Sequence, residues 1–320
     1  MTAEDNELSR EPDDTLAIQT FNLTKAFGNL IAVDGVNLDI KKGELFAFLG
    51  PNGAGKTTTI SMLCCLLKPT SGTAKVMGYD INHEPYRIKG VIGVSPQDTT
   101  LSEHLNSLEN LRLVGHLHRI EPQKLKAWSK LMLETMGLAD RAKDQVRRLS
   151  GGMKRRLSIA LALIHNPQVL FLDEPTLGLD PQARRAVWEY IARLKGEKTI
   201  LLTTHYMEEA DFLADRIGII DDGKIVALGT SIDLKTDMID THTIVVHAWN
   251  LTQKVIMEMR SKYAKVVISN GTMTITDKEI DFRQIVDRLH AKGTVVRSAY
   301  IKEPTLEDVF LKITGKELRG

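Results

Sequence analysis

The sequence predicts an α/β domain built around a parallel sheet, followed by a smaller α+β unit. Three observations carry this reading. Short, apolar, strand-like runs suited to strands buried on both faces recur between residues 45 and 204. Helical stretches separate them. Past residue 240 the rhythm changes to short strands alternating with two helices. A length of 320 residues leaves room for two domains.

In chain order, residues 1–15 carry Glu4, Asp5, Glu7, Glu11, Asp13 and Asp14 against Arg10 alone. They read as an acidic leader, expected to be disordered. Residues 45–49 form the first buried strand and end at Gly50; residues 169–172 form the second and end at Asp173; residues 199–204 form the third and end at His205. Residues 57–67 and 151–165 read as helices. Ligands of such sheets bind beyond the carboxyl ends of the strands, where all three runs deliver a polar residue or a glycine-rich turn. Residues 216–220 and 224–228 flank Asp222-Gly223 and read as a hairpin that closes a first domain over 16–232. In the tail, 241–320, strands are expected at 243–249, 266–269, 273–276 and 294–301, with helices at 251–263 and 282–291. The order β-α-β-β-α-β suggests a small ferredoxin-like unit. Thr305-Leu306-Glu307-Asp308 fits a capping box opening a last helix to Thr314.

Composition narrows the function. Lys+Arg 42 against Asp+Glu 41 leaves no general attraction to nucleic acid or to an anionic membrane, so a nucleic-acid partner is not expected. The two cysteines, Cys64 and Cys65, are adjacent, which excludes a disulfide scaffold and suits a reducing cytosol. They fall inside the helix expected over 57–67 and read as packing thiols. No apolar run approaches the roughly 18 residues of a membrane span. The N-terminus lacks the basic start and apolar core of a signal peptide. The expectation is a cytoplasmic chain that reaches a membrane only through a partner.

Gly50-Pro51-Asn52-Gly53-Ala54-Gly55-Lys56-Thr57 satisfies G-x-x-x-x-G-K-[ST] between a strand and a helix. Its glycines let backbone N–H groups wrap a phosphate, and the helix N-terminus adds a positive field. Lys56 can reach the β- and γ-phosphates, and the Thr57 hydroxyl can bind Mg²⁺. Asp173 stands where the second, Mg²⁺-side acid is needed. Glu174, one residue on, can polarise water beside the γ-phosphate. Ser150 is a good N-cap, and Gly151 and Gly152 leave backbone N–H groups uncovered, making a second anion seat. Lys154, Arg155 and Arg156 crowd the same helix start against its dipole, a conflict relieved by an anion or by solvation. His116 and His118 sit two apart on an expected helix, on different faces, and do not read as a metal pair.

The phosphate loop alone admits many nucleotide-binding proteins. Leu149-Ser150-Gly151-Gly152-Met153 resembles the signature of ATP-binding cassette (ABC) proteins, and other elements stand in that family's order over residues 16–230. The resemblance implies a P-loop NTPase fold, an ABC-type nucleotide-binding domain with a helical subdomain, with ATP and Mg²⁺ as cofactors. It implies that Phe27 stacks on adenine, that residues 50–57 and Thr58 hold the phosphates, and that Thr57, Gln97 and Asp173 serve the metal. Glu174, His205 and Gln97 would be catalytic. Ser150, Gly151, Gly152 and Asp180 would complete an ATP site shared between two cassettes, in a homodimer or heterodimer. The partner implied is a membrane-spanning permease, met through Gln97 and residues 98–118, where Leu101, Leu105, Leu108 and Leu111 stand at helical spacing. Residues 151–157 and 302–311 resemble ATPase subunits of multidrug and daunorubicin-resistance-type exporters. Phe27 stands where Tyr is commoner, and Gly178 where a small polar pair is frequent.

The rival is a soluble cassette ATPase of translation or DNA repair. Translation types carry two cassettes per chain, whereas this chain has one phosphate loop; repair types insert coiled coils, whereas residues 57–148 hold no sustained heptads. A non-catalytic nucleotide sensor would lack Glu174 or His205, and both are present.

Overall fold

A computed structural model describes residues 15–237 and 241–315. Apart from Thr15, the acidic leader lies outside the described residues. The chain opens on two long strands, β1 (Leu16–Phe27) and β2 (Leu30–Lys41), paired antiparallel. The fully buried β3 (Leu45–Leu49) leads into α1 (Lys56–Leu63). Next come β4 (Ser71–Val76), β5 (Tyr79–Asp80), α2 (Pro85–Val91) and β6 (Ile92–Ser95). Three helices follow, α3 (Ser107–Leu117), α4 (Pro122–Thr135) and α5 (Gly151–Leu163), with α3 packed on both others. Then come β7 (Val169–Asp173), α6 (Pro181–Leu194), β8 (Thr199–Thr204), α7 (Met207–Leu213), β9 (Arg216–Asp221), β10 (Lys224–Gly229) and α8 (Ser231–Asp237). A break between residues 231 and 232 divides the chain into two compact units.

In the first unit, one sheet has the order β10-β9-β3-β8-β7-β6. Its strands from β9 to β6 are parallel, with β10 antiparallel at the edge. A second, antiparallel sheet has the order β2-β1-β4-β5. Phe46, Phe48 and Phe171 of the parallel sheet share one core with Ile18, Leu23 and Val36 of the antiparallel sheet and with Ile60 and Leu63 of α1. The sequence reading did not anticipate the antiparallel sheet. Register shifts between β1 and β2, at Leu16/Ile18, Thr20/Leu23 and beyond, break the period-two alternation that announces a strand.

Two helix ends fall short of expectation. α1 stops at Leu63, and Cys64 caps it. Cys65 then turns left-handed, with φ 56°, while the Leu66 and Leu67 amides bond back to Ser61. Cys64 is buried, but Cys65 lies beyond the helix and is half-buried. Leu101 and Leu105 are not helical either, because Asn106 caps α3 through a full capping box with Glu109. The 222–223 turn takes left-handed φ at both residues, 45° and 79°, as a two-residue hairpin demands. Its tip is tied inward: the Gly223 amide donates to the Ala54 carbonyl (3.2 Å), and the Asp34 amide to the Gly223 carbonyl (2.9 Å).

The second unit contains β11 (His242–Trp249), α9 (Gln253–Lys262), β12 (Lys265–Ser269), β13 (Thr272–Asp277), α10 (Phe282–Ala291), β14 (Val295–Lys302) and α11 (Leu306–Thr314). Its antiparallel sheet has the order β12-β13-β11-β14, so the first and third strands are central. Ile244, Val246, Met273 and Ile275 pack against Val255, Met259, Ile285 and Leu289 of α9 and α10. Thr305 and Asp308 form the capping box of α11.

A buried carboxylate fastens the elements around the end of β7. Glu209 of α7 accepts hydrogen bonds at Oε1 from Thr176 (2.9 Å) and from the Trp188 indole of α6 (2.8 Å). Burial pushes its pKa up from 4.5 to about 6. The folded state therefore binds this proton more tightly than the unfolded chain, and the group's contribution to stability falls as pH rises from about 4.5 through 6. Glu209→Gln keeps a carbonyl oxygen for both donors and removes the titration. Its stability relative to wild type should rise by about 2 kcal/mol between pH 4 and pH 7, read from urea midpoints. A difference independent of pH would contradict this.

Candidate active site

The phosphate loop is shaped by what surrounds it. Gly55 has φ 102°, and a Cβ there would lie 2.3 Å from the Ala32 carbonyl of β2. A Cβ on Gly50 would lie 2.2 Å from the Ile220 carbonyl of β9. Between these walls the loop exposes Asn52 and Gly53, with Pro51 half-buried and Ala54 buried. α1 starts without a side-chain cap or an acidic residue in its first turn, and Thr58 is half-buried on that turn. The first amides of a helix have no intrahelical partner, so this end is open to an anion.

Five expected residues meet at the carboxyl edge of the sheet. Lys56, nearly buried, donates to the carbonyls of Gly50 (2.7 Å) and Pro51 (3.1 Å). Its ammonium stands 3.2 Å from Oε1 of Glu174. His205 Nδ1 lies 2.8 Å from the other oxygen, Oε2. Asp173 Oδ1 accepts from the hydroxyls of Thr57 (3.1 Å) and Thr203 (2.5 Å). The Lys56 contact is an ion pair without hydrogen-bond alignment, so among the described residues the buried Oε1 of Glu174 has no hydrogen-bond donor. An orphaned carboxylate oxygen beside a phosphate-loop lysine suits a group that must accept a proton from water. The Thr57 and Asp173 oxygens converge as ligands of a hard divalent cation do. Among the described residues no cluster of three His, Cys, Asp or Glu side chains could hold a metal by itself.

Glu174 also has an unusual backbone, with φ 48°. The left-handed region costs a non-glycine residue about 1–2 kcal/mol. Its amide donates to Thr203, through the hydroxyl (3.0 Å) and the carbonyl (3.2 Å), which holds the bend from β8.

The other expected residues stand apart from this cluster within the single chain. Phe27 is half exposed at the end of β1, with the Lys25 ammonium 5.2 Å from its ring centroid. Gln97 is exposed. Ser150 caps α5 by accepting from the Met153 amide (3.3 Å). Gly151 is exposed, with open space where a Cβ would project, whereas a Cβ on Gly152 would lie 3.2 Å from that of Ala183. Asp180 caps α6 through the Ala183 amide (2.9 Å).

The basic run after the signature is not one solvated or phosphate-facing patch. Lys154 pairs with Glu103 (2.8 Å), and Arg156 donates to the Met136 carbonyl (2.7 Å). Arg155 is 4% exposed, and its hydrogen bonds run to backbone carbonyls at the end of β7 and beside Gln97. The sequence reading missed this burial, and also Thr203 and Glu209. Helical periodicity held the signal for Arg155, which shares a face with the buried Ser158, Ile159 and Ala162. His118 caps α3, and its ring stacks on that of His165 (3.8 Å between centroids).

Known proteins resemble this chain in sequence and in fold. Residues 33–177 match the family model for ABC transporters. A linearmycin resistance ATP-binding protein of Bacillus subtilis is 38% identical over 309 residues, covering 94% of this chain and 99% of that one. A daunorubicin resistance ATP-binding protein of Streptomyces coeruleorubidus is 39% identical, covering 95% and 97%. A Nod factor export ATP-binding protein of Cupriavidus metallidurans is also 39% identical, covering 95% and 99%. Among solved structures, an ATP-binding subunit of an ABC transporter superposes with TM-score 0.63 at 28% identity, over 69% of this chain and 92% of that one. A dimeric ATP-binding cassette in a post-hydrolysis state with ADP and phosphate gives 0.61 at 29% identity, over 67% and 98%. A translation-type or repair-type ATPase has no support in these likenesses. The chain belongs to the ABC transporter family, as an ATP-binding and ATP-hydrolysing subunit.

Proposed function

We propose that this chain powers an exporter, with Glu174 as the base that activates water. The observation that carries the proposal is the linked set of contacts from Lys56 through Glu174 to His205. The lysine fixes the position of the terminal phosphate beside the carboxylate, and the histidine holds the second carboxylate oxygen so that the first stays aimed. Phe27 offers an exposed ring for adenine. Residues 50–57 and Thr58 cradle the phosphates. Thr57 and Asp173 would hold Mg²⁺, with help from Gln97, and the ion would neutralise charge on the phosphates. Ser150, Gly151 and Gly152, at the open start of α5, close over the ATP of a second cassette, and Asp180 lines the same seam.

The export reading rests on the roles that name the relatives, two resistance ATP-binding proteins and a Nod factor export ATP-binding protein. Among the described residues no helix is long and apolar enough to cross a membrane, so the conduit is assigned to a separate permease. A mostly apolar cavity of about 650 Å³, lined by Val94, Pro96, Thr100, Val114, His118 and Leu161, suits a permease segment next to Gln97. That docking holds the subunit on the cytoplasmic face of the membrane. Residues 16–232 act as the ATPase domain, and 241–320 as a separate small domain.

Glu174→Gln should still bind ATP while hydrolysis falls about 10²–10⁴-fold, the usual cost of losing a general base. ATP should then hold a lasting dimer, visible by size exclusion; near-normal turnover would remove Glu174 from the mechanism.

The shared site has its own test, once wild type is shown to pair with itself. Lys56→Ala spoils only the loop, and Gly151→Asp, with room for its side chain, spoils only the signature. Mixing the two defective proteins should restore part of the ATP-dependent dimerisation, because one site of each mixed dimer is intact. No rescue at any ratio would show that each chain completes its own site.

A chain ending at residue 231 should keep its ATP-dependent thermal shift, about 2.7 kcal/mol at 100 times the dissociation constant. A folded truncation without that shift would tie the tail to the site.

A further inference from the structure

Arg155 lies on α5, five residues beyond Ser150, with a guanidinium that is nearly fully buried. Burial pulls its pKa down, although Asp173, Glu209 and Glu174 act in the opposite sense. A buried cation is tolerated only when its donors are used. Here, among the described residues, backbone carbonyls use them. Nε donates to Pro175 (2.9 Å), one terminal nitrogen to Asp173, and the other to Pro96 (2.5 Å) and Gln97 (3.2 Å).

Two of those acceptors flank Glu174. The left-handed Glu174 is thus gripped by Arg155 at the carbonyls before and after it, and by Thr203 at its own amide. The grip originates on the helix whose first turn is the signature, and it includes the residue pair that carries Gln97. A helix transmits displacement over five residues with little loss, so a shift of Ser150–Gly152 moves the guanidinium and, through it, the Glu174 peptide.

We propose that Arg155 is a positioning residue: it fixes the backbone of Glu174 and couples that carboxylate to the signature and to Gln97 of the same chain. The inference rests on the role proposed above for Glu174. If the signature touches the ATP held by a second cassette, Arg155 makes hydrolysis in one site answer to occupancy of the other.

The test uses the full chain. In Arg155→Met, kcat should fall on the order of 10–100-fold, the scale of an ångström-level misplacement, while KM for ATP stays within about twofold. Arg155→Lys, which can still donate to part of the carbonyl set, should recover part of that loss. Placed on Glu174→Gln, Arg155→Met should cost nothing further, because it acts through the group already removed. Multiplied losses in the double variant would overturn the inference. So would a kcat per folded molecule unchanged in Arg155→Met while Glu174→Gln is inert, which leaves the role of Glu174 standing. Failure of both Arg155 variants to fold would also overturn it, since the residue would then serve the fold. Normal turnover in Glu174→Gln would overturn the reading of Glu174 and this inference with it.

Discussion

Two adjacent carboxylates, Asp173 and Glu174, are buried at the end of one strand, and much of the first unit is arranged around holding them there. Unpaired, such charges would be expelled or neutralised. Each neighbouring element supplies part of the compensation. The phosphate loop brings Lys56, α1 brings the Thr57 hydroxyl, and β8 brings Thr203 and then His205. α5 brings Arg155 to the backbone carbonyls on either side of Glu174. Because β3, β7 and β8 are parallel neighbours, these groups all emerge at one edge. The topology makes the convergence possible, and the charges make it necessary.

The residues that a nucleotide site needs were legible in the sequence because their chemistry leaves little choice. A loop that admits a phosphate needs glycine where the Ala32 and Ile220 carbonyls press in, so Gly50 and Gly55 announce themselves. The buried strands were readable for a related reason: residues covered on both faces become continuous apolar runs. β1 and β2 were not legible, since their irregular register hides the alternation of one-sided strands. Arg155 was hidden differently. Arginine is seldom buried, and beside Lys154 and Arg156 its charge read as part of a surface. The backbone carbonyls waiting at the end of β7 and at Pro96 and Gln97 make its burial reasonable, and those are a property of the fold. Glu209 is a similar case, since its partners Thr176 and Trp188 reach it from distant parts of the sequence.

Some residues singled out for the site have other duties inside one chain. Ser150 and Asp180 cap helices, which gives each a structural reason to be where it is. A cap side chain bonded to its own helix also fixes that helix's first turn. The two helix starts proposed to meet a second cassette are therefore shaped by their own caps.

The tied hairpin has a consequence for how the chain meets its nucleotide. Gly223 bonds to Ala54 in the middle of the phosphate loop, and β2 is bonded to the same hairpin tip. A glycine-rich loop free in solution would lose much conformational entropy on wrapping a polyphosphate. Here that loss is incurred during folding, when the hairpin closes against the loop's back. The nucleotide therefore arrives at a preorganised seat, and its binding free energy remains available for bringing two chains together.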